Sequence, residues 1–292
     1  MHKIKEYVIE QSLLTSALIT IAITIGIIGV LGFEAVRFFS EVSIIEFFTD
    51  TQWTPLFTDK HYGILPLLSG TLLTSFIAIA VALPIGLSIS IYLSEYAPIR
   101  YRRTIKPLLE LLAAVPTVVY GFFALIVVTP FLQSIYPNLS GFNSLSAGIV
   151  MGIMIIPFVS SISEDALHAV PQALREASFG MGATKLQTAF KVVVPAASSG
   201  IIVSIILAIS RAIGETMIVA IAAGQQPRLT LDPTVPVETI TAFIVQVSLG
   251  DVQHGSIEYR TIFAAGITLF AFTFILNTLS YRIRKKYQER YE

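Results

Sequence analysis

The sequence predicts an all-α membrane protein with six transmembrane helices. The chain of 292 residues is 54% hydrophobic and only 13% charged, whereas about 25% of the residues of an ordinary soluble domain carry a charge. A helix needs roughly 20 apolar residues to cross a bilayer core of about 30 Å. Runs of this length occur at about residues 12–33, 66–93, 107–132, 144–163, 196–222 and 261–281. Residues 1–292 are therefore interpreted as a single transmembrane domain.

The overall charge and the absence of cysteine exclude several classes of protein. The 19 basic and 19 acidic residues balance, so the chain has no overall basic field and we expect no nucleic-acid partner. Without cysteine, disulfides and thiolate metal sites are impossible. The four histidines lie far apart in the sequence and form no metal-ligand pair, so no metal site is expected.

The first apolar run is interpreted as a retained anchor, because no small-x-small cleavage pattern follows it. Six spans place both termini on one side of the membrane. Fourteen basic residues belong to that side: Lys3, Lys5, Arg100, Arg102, Arg103, Lys106, Arg175, Lys185, Lys191, Arg282, Arg284, Lys285, Lys286 and Arg290. Four belong to the other: Arg37, Lys60, Arg228 and Arg260. The positive-inside rule therefore predicts cytoplasmic termini.

Two segments of about residues 34–65 and 224–260 are predicted to lie outside the cell. Residues 42–48 suggest a short interfacial helix, with Trp53 at headgroup level. These segments are too short to form an independent receptor domain, so a large external receptor would be another chain. Prolines within the apolar runs favour a transporter or channel over a simple anchor, because irregular backbone in a membrane needs protein or water around it.

The segment of residues 164–195 is predicted to form two helices on the cytoplasmic face. Pro171 opens the first, Gly180 and Gly182 end it, and Thr184 is the expected N-cap of the second. The pair carries five large apolar side chains, those of Leu174, Phe179, Met181, Leu186 and Phe190. Either these pack against the chain's own helix ends, or they form a socket for a partner protein.

Glu176-Ala177-Ser178, followed by Gly182 and then by Val192-x-Val194-Pro195, resembles the EAA loop of ABC importer permeases, with the pattern E-A-A-x3-G-x9-I-x-L-P. The resemblance implies the type I importer permease fold and a loop that couples the chain to an ATP-hydrolysing subunit. It implies that Glu176, Ala177, Ser178, Gly182 and Pro195 serve this coupling. The chain has no G-x-x-x-x-G-K-[ST] motif, so we expect no enzyme activity and no bound cofactor, with ATP and Mg²⁺ used by partner subunits.

Arg211 lies inside the fifth run, with Glu215 four residues later on the predicted same helix face. An arginine at the membrane centre costs about 2.5–3.5 kcal/mol on insertion scales. Two interpretations remain open: a buried ion pair that fixes helix packing, or a site where the guanidinium binds a tetrahedral oxyanion and Glu215 holds it between passages. Thr117 and Tyr120 flank a predicted break at Pro116, where their hydroxyls could line the path.

Residues 211–219, with the sequence RAIGETMIV, resemble the signature of C-type permease subunits of the phosphate-specific (Pst) ABC importers. Residues 62–66, 70–72, 93–98 and 106–121 resemble the same subunits. The resemblance implies a bacterial plasma-membrane permease for inorganic phosphate, with Arg211, Glu215 and Thr216 in the path. The implied partners are membrane lipid, a second non-identical permease, two ATP-binding subunits and an extracytoplasmic phosphate-binding protein.

Three alternatives remain. A molybdate, sulfate or phosphonate permease shares the EAA loop but is expected to lack the R-A-I-G-E-T-M sequence. A membrane signalling or scaffold component would need no arginine facing water in mid-membrane. A self-energised secondary transporter is the weakest alternative, because the apolar runs contain no evident inverted repeat.

Overall fold

A computed structural model describes residues 2–287 of the chain. The described residues are helical throughout their regular structure, apart from one isolated β-bridge between Trp53 and Tyr62. The α-helices are α1 (His2–Phe39), α2 (Ile44–Thr49), α3 (Leu65–Ile91), α4 (Ile99–Ala114), α5 (Thr117–Phe123), α6 (Thr129–Ile135), α7 (Ser144–His168), α8 (Gln172–Gly180), α9 (Lys185–Thr188), α10 (Val194–Ala196), α11 (Ser198–Ile213), α12 (Met217–Ala222), α13 (Ile240–Leu249) and α14 (Ile257–Tyr287). Turns of π-helix at Tyr92–Tyr96, Ala124–Val128 and Ala189–Val193 extend α3, join α5 to α6 and join α9 to α10.

Five helical segments are long and apolar enough to cross a membrane: Ile9–Phe39, Leu65–Tyr96, Thr117–Ile135, Ser144–His168 and Ile257–Leu279. A sixth span results if Lys185–Ala196 and Ser198–Ile213, which meet at a bend of 72°, count as one. The predicted all-α membrane fold is confirmed. We call the side that carries α4, α8 and α9 the α8 face, and the side that carries α2 and residues 223–239 the α2 face.

The third span begins ten residues later than the start of the predicted run at 107, at Thr117. The backbone is extended at Val115 and Pro116, with ψ of 129° and 136°. Proline lacks an N–H group and disfavours helix in the residue before it, so the helix breaks there. The residues before the break form the separate helix α4, which carries four basic residues and whose side chains are largely exposed.

The fifth predicted run, 196–222, is also broken. Helix α11 ends at Ile213 and α12 begins at Met217, so Gly214–Thr216 lie in a non-helical connection. Arg211 therefore occupies the last turn of α11, and Glu215 lies beyond its end. The prediction that the two side chains share one helix face is wrong.

The centre of the bundle is built by α3, α7 and α11. Helices α3 and α7 approach closely because Gly152 lacks a side chain: a Cβ there would lie 2.8 Å from the carbonyl oxygen of Ala78. On another side of α7, the hydroxyl oxygens of Ser163 and Ser204 lie 2.7 Å apart, which ties α7 to α11. Helix α1 packs on α14, and none of its apolar window is buried within the chain.

The predicted short helix near residues 42–48 is present as α2, at Ile44–Thr49. Trp53 is not available for contact with lipid headgroups, because only 1% of its surface is exposed; its depth in the membrane stays a prediction. Its ring packs edge-on against Phe243 of α13, with ring centroids 5.0 Å apart. Helix α13, which the sequence did not reveal as a separate element, thus covers the aromatic cluster on the α2 face.

Candidate functional site

A cavity of about 220 Å³ lies between α4 and α7, with its inner end at α11. Four charged side chains line it: Lys106 and Glu110 from α4, Glu164 from α7 and Arg211 from α11. The remaining walls are mainly apolar. The two cationic and two anionic side chains give the lining a formal net charge of zero. The cavity therefore offers cationic groups to an anion without a strongly positive electrostatic potential that would hold the anion tightly.

Arg211 is exposed within the chain and faces this cavity. Its Nη2 atom lies 3.9 Å from the sulfur of Met154, in the middle of α7. Helix α11 begins at the α8 face, and Arg211 is in its last turn. Arg211 therefore lies about 20 Å from the start of α11, measured along the helix axis. A fixed cation at this depth, open to a cavity, is placed to meet an anion entering or leaving the bundle.

The Glu215 side chain contacts backbone N–H groups rather than the Arg211 guanidinium, and its role in the path stays a prediction. Its Oε1 atom accepts hydrogen bonds from the backbone N–H groups of Met217, at 3.1 Å, and Ile218, at 3.4 Å. These donors are free at the start of α12, so the carboxylate caps that helix and interacts favourably with its dipole. Thr241 also donates to the Glu215 carbonyl at 2.7 Å. No ion pair joins Arg211 to Glu215 in residues 2–287, so the ion-pair interpretation is not supported.

The other three residues predicted for the path are Tyr120, Thr216 and Thr117, and the first two form hydrogen bonds with nearby backbone carbonyls. The hydroxyl of Tyr120 donates to the carbonyl oxygen of Leu112 at 2.7 Å and so bridges the break between α4 and α5. The Thr216 hydroxyl donates to the carbonyl of Gly214 at 3.3 Å. Thr117 is half-buried at the first position of α5. None of these three lines the cavity, so their transport role stays a prediction.

A charged cluster that the sequence did not reveal closes one side of the cavity. The side chain of Glu164 is 1% exposed and pairs with Lys106, whose Nζ lies 2.9 Å from Oε2, and with Arg102. Lys106 also contacts Asp165 at 3.0 Å. The hydrogen bond to Glu164 raises the pKa of the Lys106 ammonium above its ordinary value. The partners are nearly 60 residues apart in sequence, and no local pattern connects them.

The segment of residues 164–195 folds as predicted. Pro171 precedes α8, and Gly182 adopts φ of +81°, a conformation that favours glycine. Thr184 caps α9: its Oγ1 accepts from the N–H of Gln187 at 3.3 Å, while the Gln187 side chain accepts from the N–H of Thr184 at 2.9 Å. This is a complete capping box.

The residues predicted to serve coupling occupy different environments. Glu176 and Ala177 are exposed on α8, and Pro195 is exposed near the bend between α10 and α11. The hydroxyl of Ser178 lies 2.8 Å from that of Thr188, so this serine joins α8 to α9. An alanine at this position would lack that bond.

The large apolar side chains of this segment divide into two groups. Leu174 is half-buried against the chain's own cluster of Leu167, Val170 and Val193. The others are exposed: Phe179 by 41%, Met181 by 89%, Leu186 by 59% and Phe190 by 54%. These four side chains, which we call the coupling face, form an apolar surface on the α8 face. Such a patch favours the predicted socket for a partner protein.

No group of three or more histidine, aspartate or glutamate side chains that could hold a metal ion occurs in the part of the chain that the structure describes.

Solved structures share this fold. One is a chain of a bacterial alginate ABC transporter in complex with an alginate pentasaccharide-bound periplasmic protein, with a TM-score of 0.61, 18% identity and coverage of 95% of this chain and 97% of that chain. Another is a chain of the MetNI methionine ABC transporter in an inward-facing conformation, with a TM-score of 0.56, 19% identity and coverage of 78% and 95%. The chain therefore shares the fold of these transporter chains.

The family follows from sequence. The chain belongs to the binding-protein-dependent transport system inner membrane components, whose family model matches residues 82–290. It is 35% identical to a probable ABC transporter permease protein, YqgH, of Bacillus subtilis, over 89% of this chain and 84% of the relative. It is 36% identical to the phosphate transport system permease protein PstC of Mesorhizobium japonicum, over 79% of this chain and 75% of the relative. The probable PstC of Methanocaldococcus jannaschii is 30% identical, over 78% and 77%.

Proposed function

We propose that this chain is the C-type permease subunit of an ATP-driven importer of inorganic phosphate. The observation that carries the proposal is the guanidinium of Arg211, presented by the RAIGETM sequence to a cavity that reaches the α8 face. Relatives named as phosphate permeases, at 30–36% identity, support the same substrate.

The chemistry of the cavity suits a tetrahedral oxyanion. The planar fork of Arg211 donates two parallel hydrogen bonds to two oxygens of one phosphate. Lys106 supplies a second cation towards the α8 face, and the Glu110 and Glu164 carboxylates oppose tight retention. A transport site must release its ligand, so this balance of charge favours transient binding over storage.

We infer that the α8 face is cytoplasmic in the bacterial plasma membrane, with both ends of residues 2–287 on that side. The excess of basic residues assigned to this side supports the orientation. A second, non-identical permease would complete the path, two ATP-binding subunits would engage the coupling face, and a phosphate-binding protein would deliver substrate to the α2 face. The chain itself would hydrolyse no ATP.

Reconstitution tests this function. The chain is co-expressed with a candidate second permease, ATP-binding subunits and a phosphate-binding protein. The complex is inserted in liposomes with ATP inside and with radiolabelled phosphate and binding protein outside. We expect accumulation of label that requires ATP and is competed by unlabelled phosphate, but not by equal concentrations of molybdate, sulfate or a phosphonate. Equal competition by another oxyanion would reassign the substrate. An assembled complex without any ATP-dependent uptake would support a signalling or scaffold role instead.

A further inference from the structure

The guanidinium of Arg175 joins three elements on the α8 face. Arg175 lies on α8, and its Nη2 and Nε atoms donate to the Glu95 carboxylate at 2.8 and 3.2 Å. Its Nη1 atom donates to the Val170 carbonyl at 2.6 Å, and Nη2 also donates to the Leu167 carbonyl at 2.8 Å. Glu95 belongs to the π-helical turn that ends α3, and Leu167 to the last turn of α7. One side chain thus ties α8 to the ends of two central helices.

The burial and the paired geometry of Arg175 and Glu95 make this connection rigid. The Arg175 and Glu95 side chains are only 11% and 9% exposed, so water does not compete effectively for their bonds. A guanidinium paired through two nitrogens with a carboxylate is fixed in orientation as well as in distance. The carbonyls of Leu167 and Val170 lie at the C-terminal end of α7, where a cation also interacts favourably with the helix dipole.

The residue that follows Arg175 on α8 has a different environment. Glu176 is exposed on α8, whereas Arg175 is buried. Helix α8 therefore presents one face to a partner and fixes the opposite face to the bundle. Leu174 of α8 also makes an apolar contact with the cluster at the end of α7. An apolar contact tolerates sliding, whereas the hydrogen bonds of Arg175 have defined directions.

The end of α3 and helix α7 both contribute to the cavity, whose other walls come from α4 and α11. Leu93, just before Glu95, lines the cavity, and so do Met154 and Glu164 of α7. A displacement of α8 that is carried by Arg175 would therefore move the cavity walls on two sides at once.

We propose that the Arg175–Glu95 pair is the rigid link that transmits movement of α8 to α3 and α7, so that ATP hydrolysis by partner subunits is converted into movement of the cavity walls. Arg175 and Glu95 are positioning residues in this proposal, which rests on the proposed function for its energy source and substrate. The link stays closed during the cycle, and α8 moves together with the ends of α3 and α7.

The first test measures coupling. Arg175→Gln and Glu95→Gln are compared with Arg103→Gln, which removes one exposed charge from α4 on the same face of the bundle. We expect the two link variants to bind the ATP-binding subunits at the wild-type ratio and to keep hydrolysing ATP, while phosphate transported per ATP falls about tenfold. Arg103→Gln is expected to behave as wild type. Wild-type coupling in both link variants would overturn the proposal.

The second test measures the link without using phosphate. The chain has no natural cysteine, so spin labels attached to Ser88→Cys on α3 and Ala173→Cys on α8 report one distance within it. We expect the same distance distribution in the nucleotide-free and ATP-bound complex, and a distribution that changes with ATP when Arg175→Gln is added. A distance that changes with ATP in the otherwise wild-type chain, or one that stays constant in the variant, would overturn the rigid link.

A third variant separates loss of the link from loss of folding. In the double variant Glu95→Cys/Arg175→Cys, the two thiols are bridged by a bifunctional reagent that matches the length of the original pair. We expect bridging to restore phosphate transported per ATP, and equal coupling before and after bridging would contradict the proposal. If the wild-type complex carries no phosphate, the proposed function fails, while the distance measurement still decides the link.

Discussion

Lys106 Nζ lies 2.9 Å from the buried Oε2 atom of Glu164, and this contact joins α4 to α7 at the wall of the cavity. Helix α4 precedes the break at Pro116 and has no buried residue of its own. The polar contacts of Lys106 and Arg102 with Glu164, together with the hydrogen bond from Tyr120 to Leu112, hold α4 beside the cavity.

The first prediction concerns Glu164. Glu164→Gln is expected to lower the stability of the purified protein by about 1.5–3 kcal/mol, the usual value of a hydrogen bond to a charged group. Asp165→Asn is the matched control: its carboxylate contacts the same Lys106 but is 65% exposed, so its loss is expected to cost at most about 1 kcal/mol. Unfolding in detergent measures both. Equal losses of stability in the two variants would mean that the burial of Glu164 does not strengthen its ion pairs.

The second prediction concerns Arg211. Arg211→Lys keeps the charge but loses the paired donors, and loss of a charge-assisted hydrogen bond worth about 1.5–3 kcal/mol lowers phosphate uptake roughly 10- to 150-fold. Arg228→Lys, an exposed position on the α2 face, is expected to leave uptake unchanged. Uptake by the reconstituted complex is the measurement. Wild-type uptake by an assembled Arg211→Lys complex would exclude paired binding at this residue.

The third prediction concerns the turn between α8 and α9. Gly182 has φ of +81°, and a Cβ there would meet no atom within 4 Å. Gly182→Ala is therefore expected to cost about 1–2 kcal/mol through backbone strain alone, and to weaken binding of the ATP-binding subunits. Gly180→Ala, equally free of clashes and without a positive φ, is the control and is expected to bind normally. Co-purification at increasing salt measures the difference.

The fourth prediction is a pH dependence on the α2 face. The hydrogen bond from His61 Nδ1 to Asp50, 2.9 Å long, raises the pKa of the imidazole above 6.5. The folded loop therefore binds the proton more tightly than the unfolded loop, and this stabilisation is complete below about pH 6.5 and is lost as pH rises through the raised pKa.

Hydrogen exchange measures this loop directly. The amide of Gly63, which donates to the Gln52 carbonyl at 2.9 Å, is expected to be better protected at pH 6 than at pH 8 after correction for intrinsic exchange. His61→Gln is expected to remove the difference, and His254→Gln to preserve it. Protection independent of pH in the wild-type chain would refute the assignment.

The fifth prediction concerns Glu238, which is 2% exposed between α12 and α13. Burial raises the pKa of its carboxyl from 4.5 to about 8. As pH rises, the Glu238 carboxyl ionises at a lower pH in the unfolded chain than in the folded chain. The free energy of unfolding is therefore expected to fall between about pH 4.5 and pH 8. Glu238→Gln is expected to flatten this slope in unfolding experiments, whereas Glu46→Gln, at an exposed position, is not. An unchanged slope in Glu238→Gln would show that another group titrates.

Local patterns predicted the features that depend on neighbours in the chain. The apolar runs identified the spans because lipid contact imposes a minimum length. The start of α8 after Pro171, the turn at Gly182 and the cap at Thr184 follow from the backbone preferences of those residues. The sequence also predicts the break at Pro116, whereas the start of the third span at Thr117 follows only from the structure.

The all-α membrane fold and the two helices within residues 164–195 can be predicted from the sequence alone. The surroundings of several residues depend instead on tertiary packing: Trp53 is buried, and Glu95 binds Arg175. Capping and span length are set by short-range preferences, whereas ion pairs between residues 80 positions apart depend on how the helices pack. Helix periodicity describes each helix alone, and it carries no information about which helix lies opposite.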